Sequence, residues 1–280
     1  MANAILAAPI RLLILDVDGT LVGSDLEVTP QVKAALEAVR QRGVQIALCT
    51  GRPEMASLHY IKGLGLDGHH IFDSGATVRN PATGETLYHK GVPTEAAVRI
   101  VEYARKHQIY LEVYSGSSYY VDRLTEASAM HTELQRWSPE LADIAEIAAT
   151  RPITKLESIV INDEEGAAVG AMLDYFVSEV DHSWAIAPGL SWRFVNILNK
   201  GVDKGEAVAQ LIAHTGIPAE QVMGVGDGPN DEPLLRSVGL GIAMGNAAPS
   251  LKEKARWVTA PVEENGLALA IEEFILNHWR

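Results

Sequence analysis

At 280 residues the chain exceeds the usual size of one hydrophobic core, so one large domain or two unequal ones are expected. Apolar residues make up 47% and charged residues 21%, which excludes a disordered or fibrous chain. The formal charge of -13 argues against nucleic acid or an anionic membrane as partner, because either needs an excess of Lys and Arg.

The single cysteine, Cys49, makes no intrachain disulfide and reads as a small core hydrophobe, with the cytoplasm as the expected compartment. Residues 1–9 are mildly apolar but lack a basic leading segment and run into a strand, so no signal peptide is expected. No run approaches the roughly 18 apolar residues of a membrane span.

Arg11 to Val17 is a nearly continuous apolar run, suited to a strand buried on both faces of a parallel sheet. Thr29 is expected to cap a helix that has Pro30 first, Val32, Ala35, Leu36 and Val39 on one face, and Gly43 as its stop. Val44 to Thr50 is a second buried strand, Pro53 to Leu64 a helix, and a short strand follows near Ile71. The rhythm then changes. A helix at Thr94 to His107, strands at Ile109 to Val113 and Tyr119 to Val121, a looser segment with Trp137 and Pro139, a strand at Ser158 to Ile161 and a helix from Asp163 follow. Strands at Trp184 to Ala187 and Trp192 to Leu198 close this block. These strands alternate apolar and polar residues, which predicts an antiparallel sheet with one solvated face. The first rhythm returns with a helix from Lys204 to Thr215 behind an Asp203 cap and a strand from Gln221 to Gly226. A helix from about Asp231, strands near Leu240 to Ala243 and Trp257 to Thr259, and a helix from Gly266 complete it. The expected fold is α/β, a doubly wound parallel sheet built from residues 1–82 and 197–280, with an α+β domain of residues 83–196 inserted.

Asp16 and Asp18, in Asp16-Val17-Asp18-Gly19-Thr20 at the end of the first buried strand, fall on one side of an extended chain. Two close carboxylates repel unless a cation lies between them or one is protonated, and solvated acids at a strand end are the plainer alternative. Thr50, in Leu48-Cys49-Thr50-Gly51-Arg52, ends the second strand, where a hydroxyl and the neighbouring amides can bind phosphate oxygens. Arg52 could meet an anionic substrate or pair on the surface. Lys204 opens a helix against the macrodipole, which suggests service to an anion, although taken alone an exposed surface lysine is the plainer reading. Gly226-Asp227-Gly228-Pro229-Asn230-Asp231 follows an apolar strand and places carboxylates at the same sheet edge, a donor set that suits Mg²⁺.

These four segments, in order, resemble the four motifs of the haloacid dehalogenase (HAD) superfamily. The insert between the second and third matches a C2 cap, C2B type, of the Cof-type or IIB subfamily, and Gly239 to Ala247 is similar to that subfamily's sequence. The resemblance implies a phosphatase in which Asp16 is the nucleophile, Asp18 the acid and base, and Lys204 the neutralising ammonium. Asp16, Asp227 and the Asp18 carbonyl would bind Mg²⁺, with Asp231 acting through water or as an orienting group. Thr20, Thr50, Gly51 and Asn230 would contact the phosphate. The implied substrate is a small phosphorylated metabolite, of sugar-phosphate type, handled by a monomer or homodimer. A phosphohexomutase and a noncatalytic sugar-phosphate sensor are the alternatives. Two departures from the subfamily pattern are Ser74, where Asn is usual, and Asn196, where Glu is frequent. Glu112, Tyr114, Ser117, Tyr119, Trp192 and Arg193 are the cap candidates for reading the leaving group, although Tyr and Trp at such spacings more often serve packing, and His69, His70, His107 and His214 lack metal-ligand spacing.

Overall fold

Leu12–Leu15, every residue of it buried, forms β1 and begins the core; the structure, a computed structural model, describes residues 8–186 and 192–277. It continues with α1 (Pro30–Gln41), β2 (Gln45–Leu48), α2 (Glu54–Gly63), β3 (His70–Phe72), β4 (Thr77–Arg79) and β5 (Thr86–His89). The middle of the chain carries α3 (Thr94–Lys106), β6 (Glu112–Ser115), β7 (Ser118–Val121), α4 (Glu126–Gln135), β8 (Glu140–Leu141) and α5 (Ile144–Thr150). It goes on with β9 (Lys155–Val160), α6 (Asp163–Tyr175), β10 (Val180–Ile186) and β11 (Arg193–Asn199). The last part holds α7 (Lys204–Thr215), β12 (Val222–Gly226), α8 (Glu232–Arg236), β13 (Leu240–Ala243), α9 (Pro249–Lys252), β14 (Trp257–Val258) and α10 (Gly266–Ile271). No helix among the described residues is long and apolar enough to cross a membrane.

The core sheet is parallel, ordered β14-β13-β12-β1-β2, and a bridge from Cys49 to Ile71 attaches β3 beyond β2. Strand order therefore reverses between β1 and β12, the place where open α/β sheets gather ligands at their carboxyl edge. Its two apolar faces are covered separately. Leu13 and Leu15 pack with α1 and α10, whereas Leu12 and Ile14 pack with α7 and α8. Cys49 belongs to the second cluster, fully buried, and burial pushes its thiol pKa well up. Thr29 caps α1 by accepting from the Val32 amide, as its sequence predicts.

The inserted sheet has six strands, ordered β10-β11-β9-β6-β7-β8, antiparallel except for the β7–β8 pair. One face, with Val113, Leu156, Val160, Val195 and Ile197, packs under α3, α5 and α6. The other carries Glu112, Tyr114, Lys155, Glu157 and Asn196, and it is not solvated as the alternation suggested: each of these residues is buried. Polar side chains there bond to one another and to α4, which removes the need for water.

Several element bounds differ from the sequence expectation. The strand expected from Ile109 starts at Glu112 because Gln108 has φ 59° and the Ile109 amide still bonds Ala104, so these residues close off α3. The strand expected from Ser158 starts at Lys155, and the segment expected to be loose contains α4 and α5. The buried face of α4 is Ala127, Ser128, His131 and Gln135, too polar to show an apolar stripe. Ala187, the expected end of a strand, lies outside the described residues.

Candidate active site

β1 ends because the chain has reached the sheet edge. The Asp16 amide still bonds Val225 O at 3.0 Å, and the backbone then turns, with the Leu21 and Val22 amides both returning to Val17 O. Gly19 makes that turn at φ +82°, and a Cβ there would lie 2.2 Å from the Asp227 carboxylate, so glycine is required for the two strand ends to meet. Asp227 follows β12, the parallel neighbour of β1, and for that reason emerges at the same edge.

Lys204 is the first residue of α7, whose start is fixed by Asp203 accepting from the Glu206 amide at 2.8 Å. Its ammonium, 1% exposed, lies 2.6 Å from Asp16 Oδ1 and 2.6 Å from Asp231 Oδ1. Burial opposes that charge, but Asp16 and Asp231 outweigh it and hold the lysine pKa well above its ordinary value. Asp231 uses its other oxygen to accept from the Asp227 and Gly228 amides. Thr20 Oγ1 donates to Asp227 Oδ1 at 3.1 Å. Asn246 Nδ2 donates to Asp227 Oδ2 at 3.2 Å and to Gly19 O at 2.9 Å. Asn246 was missed in the sequence, although it lies within the subfamily-like stretch Gly239 to Ala247.

Carboxylate oxygens of Asp16, Asp227 and Asp231 come within 4.8 Å of one another. One ammonium does not balance three acids. Burial, then the Asp231 charge, raises Asp16 to about 7 against the pull of Lys204, and burial, then Asp16 and Asp231, raises Asp227 to about 9. An all-oxygen set with excess buried negative charge fits a small hard divalent cation. The fit gives a signed expectation. Between the ordinary carboxylate pKa and these raised values the folded protein binds more protons than the unfolded one, so without a divalent cation stability falls as pH rises from about 5 to 9. Stabilisation by Mg²⁺ should therefore be greater at pH 8.5 than at pH 6, as thermal melts with and without Mg²⁺ would show; equal shifts at both pH values would remove the cation from this site.

Asp18 points away from this cluster. Arg52 grips it through Nε (2.8 Å) and Nη2 (2.7 Å) and gives Nη1 to Leu134 O on α4 at 2.8 Å. Burial works to raise the Asp18 pKa, and the guanidinium outweighs it, leaving the carboxyl below its ordinary value. Arg52 is thus no surface residue: it is 8% exposed. Thr50 Oγ1 accepts from the Arg52 amide at 3.0 Å and fixes the loop after β2. Gly51 and Asn230 line the cavity together with Asp16, Asp18 and Asp227.

The cavity measures about 90 Å³, and its far wall comes from the insert: His131, Leu134, Gln135, Glu157, Phe194 and Asn196. None of the six cap residues expected from the sequence lines it. Glu112 and Tyr114 stand one layer behind, where Glu112 accepts from Tyr110 and Tyr114 (both 2.7 Å) and pairs with His131 Nδ1 at 2.9 Å. Tyr119 donates to Trp137 O, and Arg193 reaches Asp163 at 3.5 Å. Ser117 is exposed and Trp192 half-buried, and both lie outside the lining. His131 and Glu157 were hidden because neither has neighbours in sequence that mark a site. Asn196 accepts from Lys155 Nζ at 2.6 Å, and the same ammonium bonds Glu157 at 2.5 Å and Gly51 O at 3.0 Å, tying the insert to the core. Ser74 sits at φ 56° with its hydroxyl buried and, among the described residues, without a hydrogen-bond partner. The histidines left aside have structural places: His70 Nδ1 accepts from the Leu48 amide at 3.1 Å, burial lowering its pKa to about 4, His69 and His214 meet edge to face, and His107 stacks on Tyr103.

Residues 13–271 match the family model for haloacid dehalogenase-like hydrolases. The chain is 26% identical to the 5-amino-6-(5-phospho-D-ribitylamino)uracil phosphatase YitU of Bacillus subtilis, with 94% of this chain and 97% of that one covered. It is also 26% identical to the pyridoxal phosphate phosphatase YbhA of Escherichia coli, over 96% and 98%. Among solved structures it is similar to a haloacid dehalogenase-like hydrolase from Bacteroides thetaiotaomicron (TM-score 0.84, 23% identity, covering 94% and 98%). The subclass IIB sugar phosphatase BT4131 is a second such structure (TM-score 0.79, 25% identity, covering 94% and 98%). With strands β1 and β12 bringing three acids to the edge where α7 begins with Lys204, and with the family model spanning nearly the whole of the chain, the protein belongs to the haloacid dehalogenase-like hydrolase family.

Proposed function

We propose that the chain is a magnesium-dependent phosphomonoesterase in which Asp16 takes the phosphoryl group of a small metabolite of sugar-phosphate type and passes it to water. At the coarser level the chain is a HAD-type phosphatase of small phosphorylated metabolites. The observation that carries the finer reading is the buried Lys204 ammonium bridging Asp16 and Asp231 at 2.6 Å each, beneath a cavity that Asp16 itself lines. Lys204 leaves one Asp16 oxygen, Oδ2, for attack on phosphorus, giving an aspartyl phosphate as the ester oxygen departs. To protonate the leaving oxygen Asp18 must first let go of Arg52 and take up a proton from solvent; having given that proton up, it is the carboxylate that takes one from the attacking water, the form its pairing with Arg52 favours.

Mg²⁺, held by Asp16, Asp227 and the Asp18 carbonyl, would polarise the phosphoryl group and offset the crowded charge. Both Asp231 oxygens are already engaged, by Lys204 and by two amides, which favours its role as an orienting group. Thr20 steadies Asp227, and Gly51 and Asn230 face the space the phosphate takes. Residues of about 83–196 act as a cap that excludes water, though the sheet of β3 to β5 and strand β11 run across those outline bounds. We place the enzyme in the cytoplasm, in keeping with its one buried, unpaired cysteine.

A panel of phosphorylated metabolites assayed for phosphate release, with and without Mg²⁺, tests this directly. Release that is equal in chelator, or a requirement for a hexose bisphosphate with little free phosphate, would count against the hydrolase and the second would indicate a mutase. Asp227→Ala should raise the Mg²⁺ concentration for half-maximal rate by at least about tenfold; an unchanged requirement contradicts the ligand assignment.

A further inference from the structure

We propose that the cap wall selects a monoester whose leaving group is uncharged and hydroxylated, a polyol or sugar, and rejects one bearing a second anionic group. The inference rests on the phosphatase reading and narrows its substrate class. Among the described residues, only Arg52 and His131 bring cationic side chains to the cavity, and both are committed elsewhere. Arg52 gives Nε and Nη2 to Asp18 and Nη1 to Leu134 O. His131 gives Nδ1 to Glu112, while its Nε2 abuts the Gln135 amide and lies 3.7 Å from Glu157.

Lys155 stands behind Glu157. Its three hydrogens are matched by three acceptors, Gly51 O, Glu157 and Asn196, which leaves none for a ligand. Residues 187–191 contain no ionisable side chain. A second phosphate or a carboxylate entering here would meet the Glu157 carboxylate and, among the described residues, find no unpaired cation in the lining, so it would be buried uncompensated. A hydroxyl meets the opposite situation. It can donate to Glu157 and accept from the Asn196 amide, while C–H faces of a sugar lie on Phe194 and Leu134. The same wall disfavours the bisphosphate that a mutase would require.

The test uses the Mg²⁺-loaded full-length protein turning over p-nitrophenyl phosphate, with sorbitol 6-phosphate and 6-phosphogluconate as competitors. These differ at one terminus, CH₂OH against carboxylate. The expected inhibition constant of the neutral member is lower by about tenfold or more, and Glu157→Gln should narrow that ratio by improving the anionic member. The wild-type ratio decides the matter even should the variant fail to fold. Equal constants, tighter binding of 6-phosphogluconate, or no competition by either compound would overturn the proposal. Absence of phosphate release from p-nitrophenyl phosphate and from every member of the metabolite panel would instead sink the phosphatase reading, and the ratio would then be read by calorimetric titration of the same pair.

Discussion

Asp16→Asn is expected to lower phosphate release by at least about 10³-fold while the protein stays folded. The amide keeps the size of the side chain and an oxygen to accept from Lys204, but it cannot form an acyl phosphate. Stability supplies the control that separates lost chemistry from lost structure. The wild-type carboxyl is raised to about 7 by burial and by Asp231, so above that pH the folded state carries an ionised group against its environment. Removing the charge should leave the cation-free variant melting no lower than wild type at pH 8. Phosphate release and thermal melts on the same preparation check both halves; near-normal turnover would take away the proposed nucleophile.

Lys204→Met should cost about 3–5 kcal/mol of stability, because it leaves two buried carboxylates without their counter-charge. The ammonium is 1% exposed and its partners Asp16 and Asp231 are 9% and 0% exposed, so solvent screening does little to soften the loss. Without it Asp16, already raised by burial and by the Asp231 charge, would be pushed further toward the protonated form. Protons bound in the folded state and absent from the unfolded one make stability fall as pH rises, and the deficit should be larger at pH 8 than at pH 6. Urea denaturation at the two pH values measures it. A surface lysine would cost under about 0.5 kcal/mol, an outcome that would detach Lys204 from the site. Phosphate release should be lost as well, since the same charge faces Asp16, the proposed nucleophile.

Much of the core was legible because its signals are local. Four apolar residues before Asp16 specify a buried strand, and Thr29, Pro30 and the spacing of Val32, Leu36 and Val39 specify α1. Asp203 before Lys204 marks the start of α7, and the acids after β12 mark its edge. The parallel order of the strands then makes the convergence of Asp16, Lys204 and Asp227 a consequence of topology.

The cap wall was not legible in the same way. Glu112 is buried because Tyr110, Tyr114 and His131 satisfy it, and Lys155 because Gly51, Glu157 and Asn196 do. Partners that far apart in the chain turn charged residues into interior ones, so the polar face of β9 read as solvated and α4 as loose. The amino-acid sequence by itself determined the α/β core, the family, the acids at its strand ends and the lysine that opens α7, since each depends on apolar runs and caps a few residues long. Which side chains of the insert line the cavity was decided only by the tertiary structure, because a buried charge is tolerated through its neighbours in space and leaves no periodic trace along the chain.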